Sequence, residues 1–184
     1  MPRSVHRRPV KARGARTGRT ARASGERAEA CILAACDRYR AQGLADVYKR
    51  PTPVKPISGG SPFRAVWQAK AGCDFGGTLA GGRSVLVELK TSSGPSLPLE
   101  RHGKPTLGHA QAAELERCDA LGGLAGVLVK VQPAAGPRWF WLAWGAWQAA
   151  VQDAADEGRA SLGAALLEAH GVEVDPRDWL AGVT

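Results

Sequence analysis

The sequence predicts an α/β fold, a single domain in which a mixed central sheet is flanked by helices. Three observations predict it. The 184 residues are 44% hydrophobic, enough for one ordinary core and no more than one domain requires. Apolar residues recur at helical spacing in some segments and alternate in others, in the order helix, strand, hairpin, helix, strand, strand, helices. The charge is also segregated. Arg3, Arg7, Arg8, Lys11, Arg13, Arg16, Arg19 and Arg22 are eight of the 25 basic residues and have no acid among them, leaving 17 basic against 17 acidic residues elsewhere. Residues 25–184 therefore read as one neutral folded domain and residues 1–24 as a basic tail.

The tail fills the gaps between its charges with Pro, Gly, Ser and Thr, so it buries too little apolar surface to offset its ordering entropy. It is expected to be disordered and to serve as a polyanion-binding arm. From Ser24, a suitable N-cap, a helix is predicted to about Ala41, with Ala28, Ile32, Ala35, Cys36 and Tyr39 on one stripe. At about 100° per residue, Glu29 lies at the margin of that stripe and Glu26 faces water. A short strand over residues 44–50 runs into Pro51, Thr52 and Pro53, which force an extended or turning backbone. Residues 54–63 read as an irregular or hairpin projection carrying Lys55, and residues 63–70 as the next strand.

Residues 72–91, GCDFGGTLAGGRSVLVELKT, set an aspartate before a hairpin and Glu-x-Lys at its far end. Along the second strand Val85, Val87 and Leu89 point one way, and Ser84, Leu86, Glu88 and Lys90 the other. A three-residue turn at Ala80, Gly81 and Gly82 puts Asp74 opposite Glu88, so that Asp74, Glu88 and Lys90 converge. A two-residue turn at Gly81 and Gly82 puts Asp74 opposite Leu89, on the wrong face. In the first register, two carboxylates offer hard oxygen ligands to Mg²⁺ and an ammonium lies beside them, the parts needed for phosphodiester hydrolysis. The alternative is an exposed Glu-x-Lys at a strand end.

Residues 92–106 read as a loop. Residues 107–121 are predicted as a helix closed by Gly122 and Gly123, with Gln111, Leu115 and Cys118 on one face, so that Gln111 needs a polar partner. Strands are predicted over residues 124–131 and 138–144, and helices from about Ala146 to Glu157 and Ala160 to His170.

Other chemistries are weaker fits. Cys31, Cys36, Cys73 and Cys118 form no CxxC and have no His at finger spacing, so they read as reduced thiols of a cytoplasmic protein rather than zinc ligands. Asp74-Phe75-Gly76 spells the kinase DFG without a glycine-rich ATP loop or HRD motif, and GGTLAGG lacks GK[ST]. Trp139, Phe140, Trp141 and Trp144 read as core rather than base-stacking residues, and His102 and His109 as surface histidines. No signal-peptide core follows the basic tail and no run approaches transmembrane length.

One ordered set of motifs resembles a known family. Gly25 opens the helix bearing Glu29 and Tyr39, and GLADVYKRPTPV, Asp74 with Gly76, VELKT, SLPL, the Gln111 helix and GGLAGVLV follow through residue 131. This order resembles the RecU-type Holliday-junction resolvases, in the PD-(D/E)xK, or restriction-endonuclease-like, nuclease superfamily. The resemblance implies a homodimeric endonuclease that cuts four-way DNA junctions in recombination and repair. It implies Mg²⁺, replaceable by Mn²⁺, held by Asp74 and Glu88 and completed by Glu29, with Lys90 catalytic and Gln111 beside the metal. A projecting stalk would enter the junction. Phosphate contacts are expected from Arg7, Arg8, Lys11, Arg13 and Arg16 in the tail and from Lys49, Arg50, Lys55, Arg64 and Lys70 around the stalk. The chain departs from the family pattern at Gly72, where a hydroxyl residue is usual, at Ala110, where a His is usual, and in a shortened stalk. Two alternatives remain: another restriction-like DNA endonuclease, and a non-catalytic DNA-binding recombination factor.

Overall fold

The structure, a computed structural model, describes residues 12–51, 54–57, 64–67 and 72–183, with side chains for residues 23–51 and 72–183. Helix α1 spans Ala12–Ala41. It begins twelve residues before Ser24, so Arg13 and Arg16 lie on a helix where the sequence predicts a disordered arm. The reason is local: the segment is rich in Ala and Arg, both strong helix formers, and no proline occurs between Pro9 and Pro51. Arg7, Arg8, Lys11 and Lys70 lie outside the described residues.

The strands follow in chain order: β1 (Ala45–Lys49), β2 (Val54–Ile57), β3 (Arg64–Trp67), β4 (Phe75–Leu79), β5 (Ser84–Thr91), β6 (Leu97–Pro98), β7 (Glu100–Arg101) and β8 (Lys104–Pro105). Then come α2 (His109–Ala120), β9 (Leu124–Val131), β10 (Arg138–Ala143), α3 (Trp144–Asp156), β11 (Ser161–Leu162), α4 (Ala164–His170), β12 (Val172–Glu173) and a 3-10 turn at Trp179–Gly182. Lys55 and Arg64 lie on β2 and β3, which pair antiparallel with each other and not with the main sheet. Trp144 starts α3 rather than ending the preceding strand. The expected loop at residues 92–106 contains β6, which pairs with β11, and the small β7–β8 hairpin.

The main sheet has the order β1-β4-β5-β9-β10-β12. It is mixed because β5 and β9 run parallel while its other pairs are antiparallel. Alternation along the strands divides the core in two. Val85, Val87, Leu124, Leu128, Trp139 and Trp141 pack under α1 with Ile32, Cys36 and Tyr39. Ala125, Val127, Val129, Phe140 and Leu142 pack under α2, α3 and α4 with Leu115, Trp147 and Leu167. The C-terminal Trp179 closes the α1 side, stacked 5.7 Å from Trp141, while the Tyr39 hydroxyl accepts the Leu180 N–H at 3.0 Å. Trp139, Phe140, Trp141 and Trp144 are all buried in these layers, the first three alternating between the two faces as a strand requires.

Candidate active site

The β4–β5 turn decides the site. Thr78 pairs with Ser84 and Gly76 with Leu86, and the Leu79 N–H donates to the Arg83 carbonyl at 2.8 Å, which leaves Ala80, Gly81 and Gly82 as the three-residue loop. Gly81 and Gly82 have φ of 88° and 90°, backbone that side-chain-bearing residues rarely adopt. In this register Asp74, just before β4, falls opposite Glu88. The Asp74 N–H donates to Glu88 Oε2 at 3.2 Å, and Asp74 Oδ2 accepts the Leu89 N–H at 2.9 Å. Each carboxylate is thus fixed by the backbone of the other's strand.

Glu88 is 2% exposed. Lys90, two residues along the same face, puts Nζ 2.6 Å from Glu88 Oε1. Gln111 occupies the third position of α2. Its Oε1 accepts the Gly108 N–H at 3.0 Å, which closes the helix start, and its Nε2 donates to Glu88 Oε1 at 2.6 Å. Lys90 Nζ also lies 3.4 Å from Gln111 Oε1. The polar partner that Gln111 requires at a core-facing position is therefore Glu88.

The electrostatics follow from burial. Desolvation, then the neighbouring Asp74 charge, push the Glu88 carboxyl up to about 7, against the lowering effect of Lys90. Desolvation also raises Asp74, against the Leu89 N–H and Lys90. Two crowded, desolvated carboxylates form a site that a cation relieves, and their hard oxygens fit a divalent ion such as Mg²⁺.

Glu29 stands apart. It is half-buried on α1 and ion-paired with Lys49, which lies opposite Phe75 in the β1–β4 ladder; Phe75 and its own partner Val87 belong to the α1 side of the sheet. The Glu29 charge reaches Asp74, which it helps to raise, but among the described residues no three His, Cys, Asp or Glu side chains group closely enough to hold a metal ion. His102 and His109 are exposed, as the sequence predicts.

One residue enters the site's surroundings without having been singled out. Glu114, one turn after Gln111, accepts the Cys73 N–H at 3.0 Å and binds Arg50 Nη1 at 2.5 Å. The i, i+3 spacing from Gln111 is the sequence signal that places Glu114 on the same helix face. Arg50, expected to contact phosphate, is ion-paired with Glu114. Cys73 is buried, which pushes its thiol well above the usual range.

No curated protein matches the chain. Among solved structures it is similar to Hjc, a Holliday junction resolvase from Archaeoglobus fulgidus, at 14% identity and a TM-score of 0.44, over 85% of this chain and 99% of that one. The family model of RecU, recombination protein U, matches residues 23–179, and the chain belongs to that family, one of Holliday junction-resolving endonucleases that act in recombination.

Proposed function

We propose that this chain resolves four-way DNA junctions by paired phosphodiester hydrolysis, with Mg²⁺ held by Asp74 and Glu88, Glu29 completing the site, and one such site in each protomer of a homodimer. The single observation that carries the reading is the half-buried cluster at the end of β5, where Asp74, Glu88, Lys90 and Gln111 are joined by hydrogen bonds in a chain of the RecU family.

Each residue has a distinct task. Asp74 and Glu88 supply anionic oxygens at the β4–β5 mouth. The chemistry supplied by the bound cation is polarisation of a phosphate oxygen and a lowered pKa for the attacking water. Lys90 orients the nucleophile and offsets the charge that builds on the phosphate. Gln111 holds Glu88 by one amide atom and faces Lys90 with the other, which fixes both rotamers before substrate arrives. Phosphate contacts away from the cut fall to the basic arm and to Lys49, Arg50, Lys55, Arg64 and Lys70. Two equivalent cuts across a two-fold junction call for two equivalent sites, which a C2 dimer provides. Among the described residues no helix is long and apolar enough to cross a membrane, in keeping with a cytoplasmic enzyme.

The test is a synthetic four-way junction beside a linear duplex of the same sequence, with Mg²⁺, with Mn²⁺ and with EDTA. Symmetric nicks in the junction alone, lost in EDTA, are the expected result. Equal cutting of the duplex supports a restriction-like nuclease instead, and binding without cutting supports a DNA-binding factor. Light scattering on free and junction-bound protein tests the dimer.

A further inference from the structure

We infer that Glu114 is a positioning residue for Asp74, holding the backbone that carries this carboxylate without touching the reacting atoms. The inference rests on the reading of Asp74 as an active-site residue. Asp74 precedes β4, one residue outside the β4–β5 ladder. The Arg50 N–H donates to the Asp74 carbonyl at 2.8 Å, continuing the β1–β4 pairing by one residue. The Arg50 side chain then turns to Glu114, whose carboxylate accepts the Cys73 N–H. Arg50, Glu114, Cys73 and Asp74 thus close a ring that ties the end of β1 and the start of β4 to helix α2.

That helix grips both halves of the carboxylate pair. Gln111 holds Glu88 and, one turn later, Glu114 holds the residue before Asp74. Removing Glu114 leaves a buried N–H without its acceptor and frees the Asp74 backbone on the side facing α2. Gly72 belongs to the same arrangement. A Cβ at residue 72 would overlap the Glu114 carboxylate, so a side chain there forces that carboxylate to shift from its place beside the Cys73 N–H.

The test uses full-length Glu114→Ala, Glu114→Gln, Gly72→Ser and the double variant Gly72→Ser with Glu114→Ala, with Asp74→Asn as the control for the site itself. Glu114→Ala should lower kcat on a four-way junction by about 10- to 100-fold, the usual effect of losing a group that orients a ligand. KM should stay within about twofold of its original value, because the DNA-contacting surface is untouched. Glu114→Gln keeps an oxygen for the Cys73 N–H and should recover most of kcat. Gly72→Ser should reproduce the loss alone and add nothing in the Glu114→Ala background. Hydrogen exchange at the Cys73 amide should quicken in the Ala and Ser variants and not in the Gln variant, a readout independent of cleavage and of folding yield. If Glu114→Ala and Gly72→Ser both retain kcat within about twofold while Asp74→Asn is dead, the positioning role is wrong and the site stands. If Asp74→Asn itself cuts normally, the site reading fails first.

Discussion

Two lysine–glutamate pairs stand on opposite faces of the same sheet, and they differ in everything but their chemistry. Lys90 and Glu88 have side-chain exposures of 15% and 2%, share Gln111, and are anchored by strand register. Lys49 and Glu29 have exposures of 47% and 33% and join a strand end to a helix. The buried pair sits where water screens it poorly and where each partner has further hydrogen bonds, so its geometry is set by the fold. The outer pair is made by two long, half-solvated side chains, an arrangement worth little in water and free to change partners. The comparison assigns fixed chemistry to the hairpin and leaves Glu29 as the adjustable member of the proposed site.

The largest effects should therefore come from the hairpin. Asp74→Asn, Glu88→Gln and Lys90→Ala should each lower junction cleavage by orders of magnitude, the first two by removing anionic oxygens and the third by removing the group that positions the nucleophile. Junction binding should persist, and tighten for Asp74→Asn, because one negative charge facing the phosphates is gone. Nicking and gel-shift assays on the same preparations separate the two quantities. An Asp74→Asn protein that cuts at the normal rate would end the distinction between the two faces and favour a DNA-binding factor.

If cleavage dies while binding survives, affinity must be located elsewhere. Replacing the eight basic residues of positions 1–24 by Gln should weaken binding and flatten its salt dependence, by about 0.9 in log-log slope for each phosphate that the arm no longer neutralises. Gln is a good helix former, so this substitution leaves α1 able to form where truncation would cut into it. An unchanged slope would show that the arm does not touch DNA.

Glu29→Gln tests the outer pair directly. Its effect on cleavage should be smaller than that of Asp74→Asn, since Glu29 acts on the site across a distance and is held by Lys49. A loss equal to that of Asp74→Asn would mean that Glu29 leaves Lys49 and joins the carboxylate pair when metal and DNA bind. Measuring Glu29→Gln with and without Lys49→Gln tells these apart, because a pair that must break before catalysis shows a coupling between the two changes.

The same contrast explains what the sequence reveals. The hairpin half is legible because period-two alternation and a glycine turn leave two registers to choose between, and only one brings Asp74 to Glu88. Gln111 is legible as a polar residue on an apolar helix face, a position that demands a partner. The α1 extension is not, because charge and composition argue for disorder while the intrinsic preference of Ala and Arg argues for helix. Glu114 and the Arg50 side chain escape for another reason. Their pairing spans 64 residues, and nothing local to either position points to the other. The short strands β6, β11 and β12 are likewise products of tertiary pairing, too brief to show a period of their own.

The smallest predicted effect is on stability, and it has a definite sign. Burial raises the folded-state Glu88 carboxyl to about 7 from an ordinary value of 4.5. Between those two values the folded protein keeps a proton that the unfolded chain gives up, so stability falls as pH rises through this window and the full cost of the buried charge is present above it. Glu88→Gln removes the charge and keeps the shape. Without metal it should therefore melt higher than the unaltered protein at pH 8, by about 2–4 °C for each 1 kcal/mol relieved in a domain of this size, and the gain should disappear by pH 4. Lys90 loses its anionic partner in the variant, which reduces the gain without reversing it, because Lys90 keeps a path to solvent. Glu29→Gln, on the half-solvated side, should shift melting little at either pH. Calorimetry in EDTA at pH 4, 6 and 8 measures both. A Glu88→Gln protein that melts lower than the original at pH 8 would mean that the Lys90 ion pair outweighs desolvation, and that the buried half of the site is built for stability rather than held ready for a cation at its expense.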